Sequence, residues 1–296
     1  MSSDEPSALS PSSAQPAPGL LLVSTPIGNL GDLSPRALEA IRAADAVICE
    51  DSRVTGGLLA RFGVNATLVP LHDHNEASEV PRLLARLKQG ARLVLVSDAG
   101  TPLLSDPGFR LVRAVVEAGV PVSAVPGPSA GLMALTLSGL PPHPHLFLGF
   151  LPPRQAARRA ALAPVVAAER AGLRATLILF EAPHRAAETL ADLAEVLGPR
   201  PAALARELTK RFEEVRRGTL AELAEGCLAD PPRGEIVLVV GPAPEAAALG
   251  PEAVDALLSA ALDRGESVKD AAEAVAAATG VKRREVYARA LALAGR

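Results

Sequence analysis

The 296-residue chain has no tryptophan, one tyrosine and six phenylalanines, so few of its side chains can stack on a planar ligand. Its two cysteines, Cys49 and Cys227, stand far apart without paired spacing. That argues against a disulfide scaffold or a structural zinc and fits a reducing, cytoplasmic setting. Only four of the 30 basic residues are lysine, and 33 acidic residues leave a formal charge of -3. No global basic field draws in nucleic acid or anionic lipid, and such contacts must come from local patches. The dinucleotide fingerprint Gly-x-Gly-x-x-Gly and the phosphate loop Gly-x-x-x-x-Gly-Lys-Ser/Thr are both missing, which removes the best support for nicotinamide or nucleotide-hydrolysis chemistry. Residues 118–153 carry no Lys, Arg, Asp or Glu, a length adequate for a membrane span. Breakers such as Gly119, Pro121, Pro126, Gly127, Pro141 and Pro142 cut it into pieces that could not satisfy their backbone in lipid, so buried strand and helix are expected, and no membrane. Asp4 and Glu5, without a basic or continuous apolar stretch, do not read as a signal peptide.

The content that is present reads as globular: 49% hydrophobic and 21% charged, with 24 Gly and 27 Pro. Residues 1–18, rich in Ser, Pro and Ala, are expected to be a disordered tail. From there one phrase repeats: a short apolar run, a loop of small residues, an amphipathic stretch. The runs are Leu20 to Val23, Ala46 to Cys49, Leu93 to Val96 and Val122 to Val125. Helices are expected from Ser34-Pro35 to Ala43, from Pro107 to Ala118, and from a Ser129 cap towards Ser138. This alternation predicts an α/β domain over 19–127 with a mainly parallel sheet, whose ligands sit outside the carboxyl ends of the strands. Residues 128–242 alternate less strictly and predict an α+β domain, with strands at Phe147 to Phe150, Thr176 to Phe180 and Glu235 to Val240 and a helix over Arg185 to Leu197. Residues 243–251 read as a linker. Residues 252–296, broken at Gly265 and Gly280, read as a small helical extension.

The most informative loop follows an apolar strand: Asp98-Ala99-Gly100-Thr101-Pro102-Leu103-Leu104-Ser105-Asp106-Pro107-Gly108. Its glycines allow close backbone approach, its prolines stiffen it, and its aspartates can accept from hydroxyls or a cationic group, which suits a polar, partly cationic small molecule. Several further stretches share this loop-like character, and together they carry a resemblance. They are Ser24 to Asp32, Glu50-Asp51-Ser52-Arg53, His74 to Glu76, Val96 to Pro102, Ser105 to Gly108, Val125 to Ala130, Gly149 to Pro152, Phe180-Glu181-Ala182-Pro183-His184-Arg185, Arg206 to Lys210 and Arg233 to Glu235. In this order across about residues 20–242, the chain resembles the tetrapyrrole-methylase-like (class III) family of S-adenosylmethionine-dependent methyltransferases. Within that family it is most similar to the branch that methylates the ribose 2'-hydroxyl of a cytidine in small-subunit (16S) ribosomal RNA. Two departures are visible: Ser52 stands where Thr is usual, and Phe212 stands where His is common.

The resemblance implies a two-domain tetrapyrrole-methylase-like fold and a homodimer with S-adenosylmethionine between its domains. It also implies no metal, and a decoding-centre cytidine of the RNA or the 30S subunit as acceptor. Carried over by position, the cofactor residues would be Pro26, Ser97, Asp98, Ala99, Gly100, Thr101, Ser105, Asp106, Pro107, Gly127, Ser129 and Ala130, with Phe180, Glu235 and Ile236 from the second domain. A 2'-hydroxyl is a poor nucleophile until its proton leaves, so a base or a cation that stabilises the alkoxide should stand nearby. Glu50, Asp51, Glu76, Glu181, Glu207 and Lys210 are the candidates, Lys210 with Glu207 being favoured; the expected catalytic set is Lys210, Glu207, Asp51 and Arg53. His72 and His74 lack the further ligands a metal would need. Local cations that could meet RNA are Arg154, Arg158, Arg185, Arg206, Lys282, Arg283 and Arg284, the last three at a helix start where they oppose the dipole. A porphyrinoid methyltransferase and a non-catalytic RNA-binding assembly factor are the rival readings.

Overall fold

The structure, a computed structural model, describes residues 18–244 and 251–295. All but the last residue of the expected tail over 1–18, and the centre of the expected linker, lie outside the described residues. The chain divides into two compact units after Pro242.

The first unit contains two five-stranded sheets. Strands β1 (Gly19–Val23), β2 (Ala46–Cys49), β3 (Leu68–Pro70), β4 (Arg92–Val96) and β5 (Val122–Val125) form one sheet in the order β3-β2-β4-β1-β5. All its pairings are parallel. Helices α1 (Pro35–Arg42), α2 (Ser52–Arg61), α3 (Glu76–Lys88) and α4 (Phe109–Glu117) connect these strands. The continuous apolar runs have the logic of a sheet covered on both faces. Leu93 and Leu95 of β4 join Leu20, Ile48, Leu83, Leu87, Leu111 and Val115 in one core. Val94 and Val96, pointing the other way, join Val23, Val47, Ala37, Ile41 and Leu59 in a second. Because the strands are parallel, the loops after β1, β2, β4 and β5 all leave the same edge of the sheet.

Helix α5 (Ala130–Ser138) leads to the second sheet, built from β6 (His145–Phe150), β7 (Thr176–Glu181), β8 (Pro201–Arg206), β9 (Glu214–Thr219) and β10 (Ile236–Val240). The strand order is β6-β7-β10-β8-β9, parallel only between β6 and β7. Strand β10 shows why an unbroken apolar run belongs here. Ile236, Leu238 and Val240 face α6 (Gln155–Arg170), α7 (Ala186–Leu197) and α8 (Leu220–Ala229), whereas Val237 and Val239 face α5. The core under α5 also takes Ile27, from the loop after β1, and Leu208, from the loop after β8. The loops of the two sheets are thus packed together.

Several local expectations change. Ser129 stands at the start of α5, but its side chain makes no capping hydrogen bond. Gly108, not Pro107, precedes α4, in the left-handed conformation at φ 113°, where a Cβ would lie 2.8 Å from Leu95. The start of the expected Arg185 helix is a short 3-10 turn over Pro183–Arg185.

In the second unit α9 (Pro251–Asp263), α10 (Val268–Thr279) and α11 (Arg283–Leu293) enclose a core of Val254, Leu258, Ala271, Ala272, Val275, Val286 and Ala290. Ser267 caps α10 through its side chain, and Arg289 pairs with Asp255 at 2.6 Å. Among the described residues no helix is long and apolar enough to cross a membrane.

One polar feature of the first unit's core should be costly to break. Arg200, 4% exposed, donates to both carboxylate oxygens of Glu169, 7% exposed, at 2.6 and 2.8 Å, and to the Leu197 carbonyl at 3.0 Å. Removing the carboxylate leaves a buried guanidinium without its counter-charge. Glu169→Ala is expected to lower unfolding stability by about 3–5 kcal/mol in urea titration, and a loss under about 1 kcal/mol would show that the pair is dispensable.

Candidate active site

Three loops at the carboxyl edge of the parallel sheet are stitched together. Thr25 and Gly100 exchange backbone hydrogen bonds of 2.9 and 3.1 Å. The Thr25 hydroxyl donates to the Ser97 carbonyl at 3.0 Å, and the Thr101 hydroxyl donates to the Pro128 carbonyl at 3.0 Å. A Cβ on Gly127 would press on Ser24 Cβ at 2.8 Å. The residues Pro26, Ser97 to Thr101, Gly127, Ser129 and Ala130 are therefore brought together, with backbone in the places where side chains would block approach.

Around this cradle the charge is negative. The backbone amide of Asp51 donates to Asp98 at 3.2 Å, and the Ser97 hydroxyl makes a short hydrogen bond to Asp106. Burial pushes the Glu50, Asp98 and Asp106 carboxyls above the usual carboxylate range. Asp106 and Asp98 push Glu50 further, and Asp98 does the same to Asp106. Such a set is relieved by a cation. Among the described residues no group of three or more His, Cys, Asp or Glu is arranged to hold a metal ion. The carboxylates of Glu50, Asp98 and Asp106 beside open loop backbone are a donor set that suits a cationic organic molecule with hydroxyls.

Strain marks the same places. Only four non-glycine residues among those described have positive φ: Leu103 (74°), Ser105 (69°), Glu207 (49°) and Thr209 (64°). Two lie in the loop after β4 and two in the loop after β8, and such conformations persist only where surrounding structure enforces them. Ser105 meets the second sheet at Gly149, where a Cβ would lie 3.1 Å from its hydroxyl. Beside it Phe180 packs edge-to-face on Phe147 and Phe150, at centroid distances of 5.0 and 5.6 Å. Half of the chain's phenylalanines therefore gather at one spot, and Phe150 is 56% exposed. No local sequence pattern announces this cluster, because its members come from two strands.

Lys210 stands where the two sheets' loops meet. Its ammonium donates to Glu207 at 2.9 Å and to Glu235 at 3.0 Å. The backbone amide of Glu235 also donates to Glu207, at 3.1 Å. Across from it, a Cβ on Gly28 would overlap the Lys210 side chain, and the Asn29 amide donates to the Thr209 hydroxyl at 3.1 Å. Partial burial works to lower the Lys210 pKa, but the two carboxylates outweigh it and hold the amine above the ordinary lysine range. The hydrogen bond from Lys210 holds Glu207 below the ordinary carboxylate range. At neutral pH this is an ammonium between carboxylates, able to stabilise a forming alkoxide but not to remove a proton as a free amine.

Other expected site residues take structural positions. Asp51 caps α2 through the Arg53 amide at 2.8 Å and pairs with the Arg53 guanidinium at 2.6 Å, which holds its carboxyl down to about 2. Arg53 itself points into solvent, so this pair has no free base. Glu76 accepts from the Gly108 and Arg110 amides, each at 3.2 Å, and Glu181 accepts from Thr189 and Ala182. Ile236 is buried in the core under α7 and α8, so its side chain cannot line a cofactor cleft, and Glu235 turns to Lys210. Arg158 is 1% exposed and held by Asp192 at 2.5 Å, so it is a core ion pair rather than an RNA contact. A partner 34 residues away could not be read from the local run. Arg185 is largely buried, donating to the Leu151 and Pro152 carbonyls, and Arg206 is paired with Glu214. Arg154, Lys282, Arg283 and Arg284 are exposed, with Arg283 paired to Glu273.

Comparison with known proteins bears directly on this arrangement. Residues 19–224 match the model of the tetrapyrrole (corrin/porphyrin) methylases. The chain belongs to this methylase family. Residues 247–294 match the RsmI C-terminal HTH domain, which spans the three-helix unit. The methylases it resembles include "Ribosomal RNA small subunit methyltransferase I" of Mesorhizobium japonicum, 49% identical over 93% of this chain and 92% of that protein. The protein of the same name from Escherichia coli O157:H7 is 44% identical over 92% of this chain and 94% of its own length. Among solved structures, the uroporphyrin-III-C-methyltransferase of Thermus thermophilus superposes with a TM-score of 0.50 at 27% identity, covering 75% of this chain and 94% of that one.

The Lys210 cluster depends on one glycine. Gly234 is left-handed at φ 82°, and a Cβ there would overlap the Glu207 carboxylate. Gly234→Ala is expected to cut methyl transfer at least about tenfold by displacing Glu207 and Lys210, with a stability loss of only about 1–3 kcal/mol. Unchanged turnover would show that Glu207 is not fixed by this backbone.

Proposed function

We propose that the chain transfers the methyl group of S-adenosylmethionine to the ribose 2'-hydroxyl of a cytidine in small-subunit ribosomal RNA. The observation that carries the reading is the Lys210 ammonium, fixed between Glu207 and Glu235 where the cradle of one sheet meets the loops of the other. The curated relatives named for small-subunit ribosomal RNA methylation, similar over nearly the whole chain, support the substrate class.

When bound, S-adenosylmethionine supplies a methyl already activated on a sulfonium. The backbone of Pro26, Ala99 to Thr101 and Gly127 would hold it. Glu50, Asp98 and Asp106 would match its positive charge, a match supported by their raised pKa values. The exposed edges of Phe147, Phe150 and Phe180 would keep water from the reacting side. The chain's remaining task is to align the acceptor oxygen and steady the charge that grows on it. Lys210 does the second as a cation, with Glu207 and Glu235 fixing where its N–H groups point; as the oxygen–methyl bond forms and the sulfur–methyl bond would break, the hydroxyl proton is lost to bulk solvent and S-adenosylhomocysteine would leave. No metal enters this scheme, because the donor is activated before it binds. A homodimer in the cytoplasm completes the reading. Phe109 and Val116, seven residues apart on α4 and each more than half exposed, support a face for self-association.

The test is methyl transfer from labelled S-adenosylmethionine to small-subunit particles and to free ribosomal RNA, followed by nucleoside mapping. Label is expected on a cytidine ribose, and label on a base or on a tetrapyrrole would overturn the reading. Lys210→Ala is expected to lose about 10²–10³ in turnover with RNA binding retained, the usual effect of removing one preorganised donor.

A further inference from the structure

Next to Glu207, the partner of Lys210, lies a groove of about 510 Å³ that the scheme above leaves unused. Its walls are the loop after β8, ending in Phe212, and the turn Pro231-Pro232-Arg233-Gly234 before β10. Glu207 lines it as well, so the groove opens directly onto the Lys210 cluster.

Three observations fix the chemistry of an occupant. First, Phe212 is 64% exposed at the rim of this groove, in a chain with seven aromatic residues. The Arg211 guanidinium lies over its ring at 5.5 Å, so a flat, partly cationic platform stands there. Second, the lining charges of Arg206, Arg216 and Asp230 are already neutralised. Arg206 bonds Glu214 at 2.5 Å, Glu214 bonds Arg216 at 3.1 Å, and Arg216 bonds Asp230 at 2.5 Å. Arg233 is different. It is exposed, and among the described residues its side chain makes no ion pair or hydrogen bond. Third, the lining turn carries the exposed Pro231 and the buried Pro232 ahead of Arg233 and Gly234, a stiff apolar edge against which a planar group can lie. The volume falls within the range of small-molecule pockets, large enough for one nucleotide.

We propose that this groove holds an unstacked nucleotide of the RNA substrate, its base lying on Phe212 and its phosphate on Arg233. The inference rests on the ribosomal RNA reading and deepens it. It gives the substrate a fixed point next to Lys210, so the acceptor ribose is set by a base held outside the helix stack. It also explains an exposed phenylalanine that contributes nothing to the core.

The absence of tryptophan makes the test direct, because Phe212→Trp in the full chain creates a single indole reporter at the groove. Titration with a cytidine-rich single-stranded RNA dodecamer is expected to quench it saturably, whereas inorganic tripolyphosphate is not. Phe212→Ala is expected to weaken RNA binding about tenfold and Phe212→Tyr to restore it, consistent with loss of one base stack. Arg233→Ala is expected to weaken binding and reduce its salt slope by about one. Equal quenching by tripolyphosphate would reduce the groove to an anion site and overturn the proposal. So would an RNA affinity that is full in Phe212→Ala with no quenching in Phe212→Trp, the result expected if the groove receives a protein instead. The two readings fail separately. A wild-type chain that methylates ribosomal RNA while Phe212→Trp stays unquenched overturns the groove alone, and quenching in a chain that methylates no RNA overturns the function alone.

Discussion

The contact between the Lys210 side chain and the loop after β1 is the constraint on which the rest of the site depends. Gly28 has no side chain because Lys210 occupies that space, and the Asn29 amide is tied to Thr209. Ile27 from the same loop is buried under α5 with Leu208. Together these contacts join the parallel sheet's cradle to the mixed sheet's cation. The strain in Glu207 and Thr209 is tolerated because both are enforced from two sides, by Gly234 behind and by the β1 loop in front. A loop of this kind is preorganised: the ammonium does not have to move to meet developing charge.

The electrostatics divide the labour. Near the cradle, burial and neighbouring carboxylates raise Glu50, Asp98 and Asp106 in pKa, which favours a cation beside them. Around Lys210 the carboxylates are satisfied, and the cation is locked in its charged form. Cofactor binding and acceptor activation thus use opposite charge arrangements on one continuous set of loops. The Arg206 to Asp230 chain is neutral overall, so binding of a polyanion near the site falls to the exposed Arg233 and Arg211. The net acidity of the chain said little about such a partner because charge pairing, not composition, decides what a surface presents.

Much of the fold was legible in the sequence. The unbroken apolar runs of β1, β2, β4 and β10 announce strands covered on both faces, and Ser34-Pro35 announces α1 with its side-chain cap. The small-residue loops were legible too, as places where backbone approaches a ligand. Helix α2 was hidden by Gly56 and Gly57, and β3 by its three-residue length. The site was read in part. Lys210 and Glu207 are three residues apart, but the second carboxylate, Glu235, comes from another strand and looked like a cofactor residue. Arg158 was misplaced as an RNA contact because burial is a property of distant packing. Positive φ at Leu103, Ser105, Glu207 and Thr209 leaves no compositional mark, since none is glycine.

The central claim is that Lys210 works as a cation, and the pH dependence of the transfer step tests it most directly. A pKa raised above the ordinary lysine range keeps the ammonium charged throughout pH 6.5–9.5, so its contribution is present across that window and is lost only at higher pH. Arginine keeps the charge and cannot serve as a base. Single-turnover methyl transfer by the native chain and by Lys210→Arg is therefore predicted to follow the same pH profile, differing only by a constant factor. A native rate that climbs about tenfold per pH unit while the Lys210→Arg rate stays flat would mean that the neutral amine removes the proton, and would contradict the account.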